Sequence, residues 1–297
     1  MKGMVLAAGF GIRLRPLTYK KPKPLVPILN IPIINYSIEL LISSGVNEII
    51  INTHYKHNDI ENYMNSIDFP IPINIIFEPD ILGTGGALKN AESLLNTDNF
   101  FLLNSDIITN INLKDAYDWH INKNFLATMI VHHYPRFRQI LIDKDFYIKE
   151  IKEKSSANAF SFTGIHIINS VLLDYMPKCK FDIIDFYRHV IKKGLPIGAY
   201  VSSNHYWRDI GTIYDYFMAN KEALKGKRIF TGKNCVIHPK TQISNWAIIG
   251  DNCIIDKNVH ICSSILWSNT IVREGIEIIN SIITGGEIKY NQKNIVA

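Results

Sequence analysis

The chain has 297 residues, of which 47% are hydrophobic and 20% are charged, so it is long enough for one large core and a smaller module. This balance argues against a disordered or coiled-coil chain, and the net charge of +5, dispersed along the sequence, argues against a dedicated nucleic-acid binder. Four cysteines, none in a C-x-x-C pair or at zinc spacing, predict free thiols in a reducing compartment and no structural metal.

The first two-thirds of the chain alternate strand and helix patterns. Apolar or β-branched runs predict strands at residues 4–8, 48–52, 71–77, 100–103 and 127–132. Apolar residues at helical spacing predict helices near residues 34–42, 87–95 and 181–193, and Gly45 and Gly194 mark two helix ends. This alternation predicts an α/β fold of three layers, in which helices cover both faces of a largely parallel mixed sheet, and the domain is expected to end near Lys221.

The pattern changes from Phe230 onward. Isoleucine recurs every six residues from 237 to 261, and a second set of small or branched residues follows each by four positions: Thr241, Ala247, Cys253, Val259 and Ile265. This repeat predicts a short left-handed parallel β-helix, with nine hexads in residues 234–287 and a looser pattern at Trp267 and Arg273. The predicted domains are therefore residues 1–222 and 229–297, joined by a basic connector over residues 221–228.

Neither a secretion signal nor a membrane span is predicted. The apolar run at the N-terminus is too short for a signal peptide, and no later run reaches membrane-spanning length without polar interruption. A cytoplasmic location is the expectation that follows.

The loop after the first predicted strand combines glycines with cationic side chains. Gly9 and Gly11 allow the backbone to wrap a phosphate chain closely, and Arg13 and Lys23 supply positive charge. Two common phosphate motifs do not match this loop, because the dinucleotide fingerprint needs a glycine where Leu14 stands, and a P-loop needs Gly-Lys-Ser/Thr. An ordinary strand and loop with surface lysines is the alternative.

The full pattern, G-x-G-x-R-L-x-P-L-T followed by K-P-K-P, resembles the signature of the sugar-1-phosphate nucleotidylyltransferases, also called NDP-sugar pyrophosphorylases. The resemblance implies a Rossmann-like nucleotidyltransferase domain, and the overall layout with the L-G-T-G-G-A sequence at residues 82–87 is similar to mannose- and heptose-1-phosphate guanylyltransferases. One departure is Ile12, where the family usually carries Thr. The resemblance implies that the nucleotide contacts the residues of this loop: Leu6, Ala7, Ala8, Gly9, Gly11 and Arg13.

A second glycine-rich loop follows the third predicted strand. Taken alone, Gly83-Thr84-Gly85-Gly86 is most simply a tight turn. The longer sequence L-G-T-G-G-A is found in some members of the resembled family, where the loop lies against the nucleobase. Gly83, Thr84 and Gly85 are therefore expected nucleotide contacts, and the two interpretations are compatible.

Two acidic residues are candidate metal ligands. Asp106 follows a buried strand in Asn104-Ser105-Asp106, at the edge where open α/β sheets bind ligands. Mg²⁺ that also binds substrate phosphates needs only one or two such carboxylates. The family pairs this Asp with a later one in W-x-D-I-G-T, which the resemblance assigns to Asp209, and it adds Ser105 to the nucleotide contacts. Taken alone, either Asp is more simply a helix cap or a solvated loop residue.

The resemblance also implies a sugar-phosphate site. Glu153 and Lys154, together with Gly164, match the family's E-K and G-I segments, and Lys23 is expected to contact the same phosphate. Many members carry a Tyr-Gly pair before the E-K segment, whereas this chain has Arg-Phe-Arg-Gln at residues 136–139, which predicts an altered sugar pocket. Without the resemblance, an exposed Glu-Lys pair is simply solvated.

The implied reaction joins a nucleoside triphosphate to a sugar 1-phosphate and releases pyrophosphate. The resemblance assigns Arg13, Lys23 and Asp106 to catalysis and Asp106 and Asp209 to Mg²⁺. The base and the sugar stay open between guanylyl transfer to mannose or heptose phosphates and uridylyl transfer to amino-sugar phosphates. Three alternatives are a hexapeptide acyltransferase using His238 or His260, a non-catalytic NDP-sugar-binding paralogue, and a nucleic-acid or tRNA cytidylyl-type enzyme. The β-helix is expected to mediate homo-oligomerisation or allosteric control.

Overall fold

The computed structural model describes residues 1–95 and 98–296. The chain forms two compact units that do not follow chain order. Unit 1 comprises Met1–Gly9 and Ile34–Trp207, and unit 2 comprises Phe10–Ile33 and the residues from Arg208 onward. The first loop therefore groups mainly with the C-terminal part of the chain. The predicted domains, residues 1–222 and 229–297, are continuous segments of the sequence, and that division stays a prediction.

The helices and strands are bounded as follows. The strands up to residue 209 are β1 (Lys2–Leu6), β2 (Pro27–Ile28), β3 (Ile31–Pro32), β4 (Glu48–Thr53), β5 (Ile73–Phe77), β6 (Asn99–Asn104), β7 (Ile107–Thr109), β8 (Ala127–His132), β9 (Arg138–Ile142), β10 (Ile148–Ile151), β11 (Phe160–Asn169), β12 (Ile197–Ser202) and β13 (Trp207–Asp209). The later strands are β14 (Ile229–Thr231), β15 (Val236–Ile237), β16 (Gln242–Ile249), β17 (Ile254–Ile255), β18 (His260–Leu266), β19 (Thr270–Val272), β20 (Glu277–Ile279), β21 (Ile282–Ile283), β22 (Gly286–Ile288) and β23 (Gln292–Lys293). The α-helices are α1 (Leu17–Lys20), α2 (Ile33–Ser43), α3 (His57–Asn65), α4 (Gly83–Asn90), α5 (Leu113–Lys123), α6 (Ile183–Lys192) and α7 (Ile213–Ala223), and short 3₁₀ helices cover Ile12–Leu14, Lys23–Leu25 and Ser170–Tyr175.

Unit 1 is built on one mixed sheet. Its main path is β10-β9-β11-β6-β1-β4-β5, and β8 joins β11 to β12. The pairs β6-β1, β1-β4, β4-β5 and β8-β12 are parallel, whereas β11 runs antiparallel to both β6 and β8. The α/β fold with a mainly parallel mixed sheet is confirmed, and the five predicted strands are all present in it, with ends shifted by up to two residues.

Burial explains why these segments form the centre of the sheet. Phe100, Phe101 and Ile50 have no exposed surface, since a parallel strand between helical layers must be apolar on both faces. Val190 and Tyr187 of α6 contribute to the core on one side, at 3% and 0% exposure. The helix is closed by Gly194, whose φ of +81° supplies the left-handed residue that a helix end requires.

The C-terminal strands of unit 2 pair in parallel. Val236 pairs with Ile254 and Gln242 with His260, so the paired positions are three hexads apart. The repeating isoleucines at 249, 255 and 261 are 0%, 1% and 0% exposed and belong to one apolar cluster. The hexad pattern therefore marks side chains that share an interior.

The looser repeat near Trp267 and Arg273 has a simple structural cause. The register shifts after Ser244, so that Ala247 pairs with Ser264 and His260 with Glu277, each one position short of three hexads. The interior positions accordingly move back by one to Leu266, Val272 and Ile278, which are all fully buried.

The predicted connector over residues 221–228 is corrected by the structure. Lys221 belongs to α7, and helical structure continues to Ala223. Leucine, alanine and glutamate are good helix formers, so the basic charge of this segment does not end the helix.

Within residues 1–95 and 98–296, none of the helices combines the length and the apolar character needed to cross a bilayer. Cys179, Cys235, Cys253 and Cys262 are all free thiols. Cys253 is fully buried, and burial raises the pKa of its thiol to about 11.

Candidate active site

The segment that follows β1 in unit 1 lies at the carboxyl edge of the parallel sheet. β1 runs between β4 and β6, so Leu6 pairs with Asn52 on one side and with Asn104 on the other. The Ser105 N–H donates to the Leu6 carbonyl at 3.2 Å. The strand ends at Leu6, two residues earlier than predicted, which leaves Ala7, Ala8 and Gly9 in the loop. Leu6, Ala7, Ser105 and Asp106 are thus brought to the same edge.

Gly164 belongs to the same edge because of a bulge in β11. Its φ is +82°, and the pairing register of β11 shifts between Phe162 and His166. A Cβ at this position would lie 2.0 Å from Ile107 Cδ1 and 3.0 Å from Asn104 Nδ2. Glycine is therefore required both by the backbone conformation and by the close approach of the segment that carries Asp106.

A buried polar chain crosses the same edge and was missed in the sequence analysis. The Ala7 N–H donates to Asn52 Oδ1 at 3.0 Å, and Asn52 Nδ2 donates to Glu78 Oε1 at 2.8 Å. The Leu82 N–H donates to Glu78 Oε2 at 3.3 Å. Asn52 and Glu78 are only 3% and 1% exposed. The sequence does carry a signal for these two residues, because each is a polar residue that follows the apolar run of a strand at its carboxyl end.

The glycine-rich segment at residues 83–86 is the first turn of α4, not a loop before a helix that starts near Ala87. The first N–H groups of a helix lack helical partners, and here Gly85 and Gly86 donate theirs to the Phe181 carbonyl at 3.1 and 3.2 Å. A Cβ on Gly85 would lie 2.1 Å from the Phe181 ring. The Thr84 hydroxyl donates to Asp182 Oδ2 at 3.0 Å. Packing against the segment before α6 explains why this helical turn contains glycines.

In unit 2, the first loop folds back on itself around Gly11. The Gly11 φ is +62°, and its carbonyl accepts a hydrogen bond from the Thr18 hydroxyl at 3.0 Å. A Cβ on Gly11 would meet Thr18 Cγ2 at 2.7 Å and Lys23 Cβ at 3.0 Å. Arg13 follows in the 3₁₀ turn Ile12–Leu14 and is exposed. The loop therefore places the Lys23 Cβ beside Gly11, two residues before Arg13.

Asp209 and Arg13 meet at Gly211. A Cβ on Gly211 would lie 2.6 Å from Asp209 Oδ2, and 3.2 and 3.3 Å from the two terminal nitrogens of Arg13. The carboxylate and the guanidinium thus lie side by side against a backbone that carries no side chain. The two cationic candidates and one of the two acidic candidates are consequently in unit 2, whereas Asp106 is in unit 1.

Polar contacts within unit 2 hold the segment that follows Lys23. The Tyr216 hydroxyl donates to the Pro27 carbonyl at 2.8 Å and accepts a hydrogen bond from Trp267 Nε1 at 2.8 Å. The Leu29 N–H donates to Asn220 Oδ1 at 3.1 Å, and Asn30 Nδ2 donates to Asp251 Oδ1 at 3.2 Å. The loop is thereby fixed both to α7 and to the C-terminal parallel strands.

Trp207 opens the segment that leads to Asp209. Its indole N–H donates to the Thr163 carbonyl at 2.8 Å, and its ring packs on His132 and Tyr134, with ring centroids 4.8 and 4.9 Å away. His132 is buried, and desolvation together with the neighbouring His205 lowers its pKa to about 4. The imidazole is therefore neutral at pH 7, and Trp207 is held by an uncharged aromatic cluster within unit 1.

Glu153 and Lys154 lie in an exposed loop after β10, at the edge of the sheet. They line a cleft of about 630 Å³ that also contains Lys152, Arg188 and Lys192. β9 and β11 stand between β10 and the strand that leads to Asp106. Of the three residues expected at a sugar phosphate in unit 1, Gly164 lies at the edge with Asp106, whereas Glu153 and Lys154 follow a strand that two others separate from β6.

The acidic residues suit a metal that arrives with the substrate. Among the residues that the structure describes, no group of three or more His, Cys, Asp or Glu side chains is arranged to hold an ion. Mg²⁺ keeps several water molecules and takes one or two protein carboxylates when phosphate oxygens complete its shell. Asp106 in unit 1 and Asp209 in unit 2 are each half-buried, and a carboxylate of this kind can supply one of the few protein ligands that such a Mg²⁺ needs.

Comparison with known proteins agrees with this geometry. The family described as Nucleotidyl transferase matches residues 2–226. UTP–glucose-1-phosphate uridylyltransferase of Synechocystis sp. is 29% identical over 95% of this chain and 82% of that protein. Mannose-1-phosphate guanyltransferase 2 of Candida glabrata is 30% identical over 86% of this chain and 72% of its own length.

The fold is also similar to that of HddC from Yersinia pseudotuberculosis. The two are 27% identical, with a TM-score of 0.66 over 75% of this chain and 99% of that one, and HddC has been solved complexed with GMP-PN. The matched family covers about three-quarters of the chain and includes both glycine-rich segments and both aspartates. The chain therefore belongs to the nucleotidyl transferase family and is an enzyme of the sugar-1-phosphate nucleotidylyltransferase class.

Proposed function

We propose that the chain is a guanylyltransferase that joins GTP to a manno-configured sugar 1-phosphate, giving a GDP-sugar and pyrophosphate. The observation that carries the reaction type is the meeting of Leu6, Ala7, Ser105 and Asp106 at the carboxyl edge of the parallel sheet, where open α/β sheets bind nucleotides. The choice of base and sugar is supported by the Candida glabrata mannose-1-phosphate relative and by the GMP-PN complex of HddC.

The reaction needs no protein nucleophile. An oxygen of the sugar phosphate attacks the α-phosphorus of the nucleotide in line, a new P–O bond forms, and the bond to the leaving pyrophosphate breaks. We assign Asp106 and Asp209 as the residues that would hold Mg²⁺, which when bound would neutralise part of the phosphate charge. Positioning and charge stabilisation dominate such transfers, so the protein contributes fixed donors and cations.

Two cationic side chains fill that role. The Arg13 guanidinium has a planar fork of donors that matches phosphate oxygens, and the turn around Gly11 positions it. Lys23 is held beside Gly11 and brings a compact charge to the attacking or leaving phosphate. The nucleobase contacts of Gly83, Thr84 and Gly85 and the sugar-phosphate contacts of Glu153, Lys154 and Gly164 are part of this proposal.

A second candidate is uridylyl transfer to glucose 1-phosphate. The Synechocystis relative matches 95% of this chain, including the C-terminal strands, and it is named for this activity. The two candidates share the reaction and differ only in the base and the sugar.

We also propose that the C-terminal strands form a left-handed parallel β-helix that pairs with a second copy of the chain. The three-hexad spacing of the first strand pairs and the buried isoleucine set support three hexads per coil. His238 accepts a hydrogen bond from the Lys240 N–H, and His260 pairs with the Ser244 hydroxyl, so both rings have local structural roles. Sedimentation of the purified chain tests the pairing, and a single monomeric species would contradict it.

The substrate assignment is tested by a panel of nucleoside triphosphates with Mg²⁺ in a thermal-shift assay. A ligand of the folded state raises the melting temperature by mass action. The nucleotide with the largest shift is then combined with mannose, heptose, glucose and amino-sugar 1-phosphates, and pyrophosphate release is measured. Release with GTP and mannose or heptose 1-phosphate supports the proposal, release with UTP and glucose 1-phosphate supports the second candidate, and no release with any pair refutes both.

A further inference from the structure

We infer that Arg188 is a positioning residue for the proposed sugar-phosphate site, because it holds the backbone of the loop that carries Glu153 and Lys154. It acts through that backbone and not through contact with the substrate. This inference rests on the proposed function, since those two residues are proposed sugar-phosphate contacts. Arg188 lies outside every motif from which the site was predicted.

The loop that carries these two residues leaves an edge strand. Among the described strands, β10 ends the path of the mixed sheet and pairs with β9, so one side of it has backbone groups without a strand partner. Arg188 Nε donates to the carbonyl of Ile151, the last residue of β10, at 2.9 Å. Arg188 Nη2 donates to the next carbonyl, that of Lys152, at 3.3 Å. One side chain of α6 therefore takes the place of a missing strand.

Gln139 of β9 holds the same loop from the other side. The Lys152 N–H donates to the Gln139 carbonyl at 2.8 Å, and Gln139 Nε2 donates to the Glu153 carbonyl at 2.8 Å. The backbone carbonyls of residues 151–153 thus all accept hydrogen bonds from side chains. The loop is fixed on both sides where Glu153 and Lys154 begin.

The guanidinium of Arg188 is itself held by α6. The neighbouring Tyr187 and Val190 are 0% and 3% exposed, so the helix is anchored in the core at this turn. The remaining nitrogen, Nη1, donates to Asp185 Oδ1 at 2.6 Å. All three guanidinium nitrogens therefore donate to protein acceptors, and the charge is paired with a carboxylate. This use of the planar fork of donors points to a hold on the loop, not to an attraction for phosphate.

Lys192 provides a matched control for charge. It lies one turn after Arg188 on α6, lines the same cleft and is exposed. Lys192→Gln removes one positive charge from the cleft, as Arg188→Gln does, but it keeps the donors to the Ile151 and Lys152 carbonyls. Arg188→Lys is a milder change, since one ammonium replaces a fork of donors.

The kinetic test measures KM for the sugar phosphate and KM for the nucleotide in the wild type and the three variants. The substrates are GTP and mannose 1-phosphate, replaced by UTP and glucose 1-phosphate if the wild type turns over only that pair. We expect Arg188→Gln to raise the sugar-phosphate KM about tenfold and Arg188→Lys about threefold, because displaced contacts bind less well. The nucleotide KM should change less than about twofold, and Lys192→Gln should change either KM by less than about twofold.

Amide hydrogen exchange reports on the loop without turnover. The hydrogen-bonded N–H of Lys152 should exchange at least about fivefold faster in Arg188→Gln and at the wild-type rate in Lys192→Gln. The hydrogen-bonded N–H of Gly194, at the end of α6, should exchange at the same rate in all the proteins. This comparison separates a released loop from a loosened helix.

Several outcomes overturn the inference. Equal effects of Arg188→Gln and Lys192→Gln on the sugar-phosphate KM mean that charge in the cleft matters and the hold on the loop does not. An equal rise in both KM values, or equally faster exchange at Lys152 and Gly194, means a general loosening of the fold. If Arg188→Gln fails to fold, Arg188→Lys decides alone, and wild-type values in it overturn the inference.

A failure of the proposed function is a separate outcome. It is shown by a wild type that releases pyrophosphate with no substrate pair. Exchange at Lys152 then decides about the loop: a faster rate in Arg188→Gln supports the hold by Arg188, and a wild-type rate overturns it.

Discussion

Lys20 and Lys23 are three residues apart in the first loop but differ in what surrounds them. Lys20 ends α1 and is exposed, whereas Lys23 is half-buried and its Cβ lies against Gly11. A side chain fixed at its base can hold its charge in one place with less loss of conformational entropy when the phosphate binds. At the residue scale, this difference separates a proposed catalytic cation from an exposed one.

We expect Lys23→Ala to lower kcat by about a hundredfold to a thousandfold, the range found when one stabilising group is removed from a transition state. Asp106→Asn should have an effect of the same order, because it removes a ligand charge from the proposed Mg²⁺ site. Lys20→Ala is the matched control and should leave kcat unchanged. Pyrophosphate release is the measurement, and a folded Lys23→Ala enzyme with wild-type release would refute the assignment of Lys23.

Buried histidines should make the free energy of unfolding depend on pH, because burial lowers their pKa values. His120 is 1% exposed, with its ring nitrogens 2.7 Å from the Thr128 hydroxyl and 3.0 Å from Asn99 Oδ1. Burial lowers the pKa of His120 to about 4 from the ordinary value of 6.5. Between these values the unfolded chain binds more protons than the folded one, so the free energy of unfolding is at its full value above pH 6.5 and falls as the pH drops towards 4.

We expect His120→Gln to reduce this loss of stability between pH 6.5 and 4, because the substituted chain no longer gains a proton at position 120 on unfolding. Urea unfolding at several pH values is the measurement. His132 is shifted in the same direction, so part of the dependence should remain. The same substitution at the exposed His189 serves as the matched control. An unchanged pH profile in His120→Gln would contradict the expectation.

At the scale of elements, the hexad repeat determines which face of each strand is inside. Ile254 and Ile255 are neighbours in β17, yet Ile254 is 39% exposed and Ile255 is 1% exposed. Successive side chains of a strand point to opposite faces, so two identical residues take opposite environments. Ile255 is one of the isoleucines that recur every six residues, and it belongs to the apolar cluster of the C-terminal strands.

We expect Ile255→Ala to lower the free energy of unfolding by about 2–5 kcal/mol, the usual cost of a cavity in a packed interior. Ile254→Ala, the adjacent control, should lower it by less than about 1 kcal/mol. Denaturant unfolding, followed by tryptophan fluorescence, to which the buried Trp246 and Trp267 of the C-terminal strands contribute, measures both. Equal effects of the two substitutions would mean that the repeat does not define an interior.

At the scale of the whole molecule, the chain gathers distant segments into one unit. The Pro27 carbonyl, the Tyr216 hydroxyl and the Trp267 indole N–H form a continuous hydrogen-bonded series that links the first loop, α7 and the C-terminal strands. Tyr216 and Trp267 are 0% and 3% exposed, so water does not readily take the place of either hydrogen-bond partner. Loss of one partner would leave a buried polar group unsatisfied and lower the free energy of unfolding. The C-terminal strands therefore contribute to the support of the loop that carries Lys23.

We expect Trp267→Phe to increase amide hydrogen exchange at Val26 and Leu29, because Tyr216 loses a buried donor and its hold on the loop weakens. The free energy of unfolding should fall by about 1–3 kcal/mol. Trp246→Phe is the control: its ring packs on Phe217 of the same helix as Tyr216, 4.9 Å between centroids, in a contact that does not depend on a donor. Equal exchange in both variants would refute the coupling.

The sequence by itself was sufficient for features that repeat locally. Five strands of the mixed sheet, the helix with its Gly194 stop, and the isoleucine phase from 249 to 261 all reflect periodicities of a few residues, which burial imposes on adjacent positions. The catalytic candidates Arg13, Lys23, Asp106 and Asp209 came instead from short contiguous motifs, through their resemblance to the sugar-1-phosphate nucleotidylyltransferases.

Only the tertiary structure decided how these pieces are joined. The antiparallel insertion of β11 between β6 and β8, the pairing of Asn52 with Glu78, and the anchoring of Pro27 by Tyr216 and Trp267 all join residues that are far apart in the sequence. Such contacts leave no periodic trace, because each is a single pair whose energy depends on burial and hydrogen-bond geometry that exist only once the chain has folded.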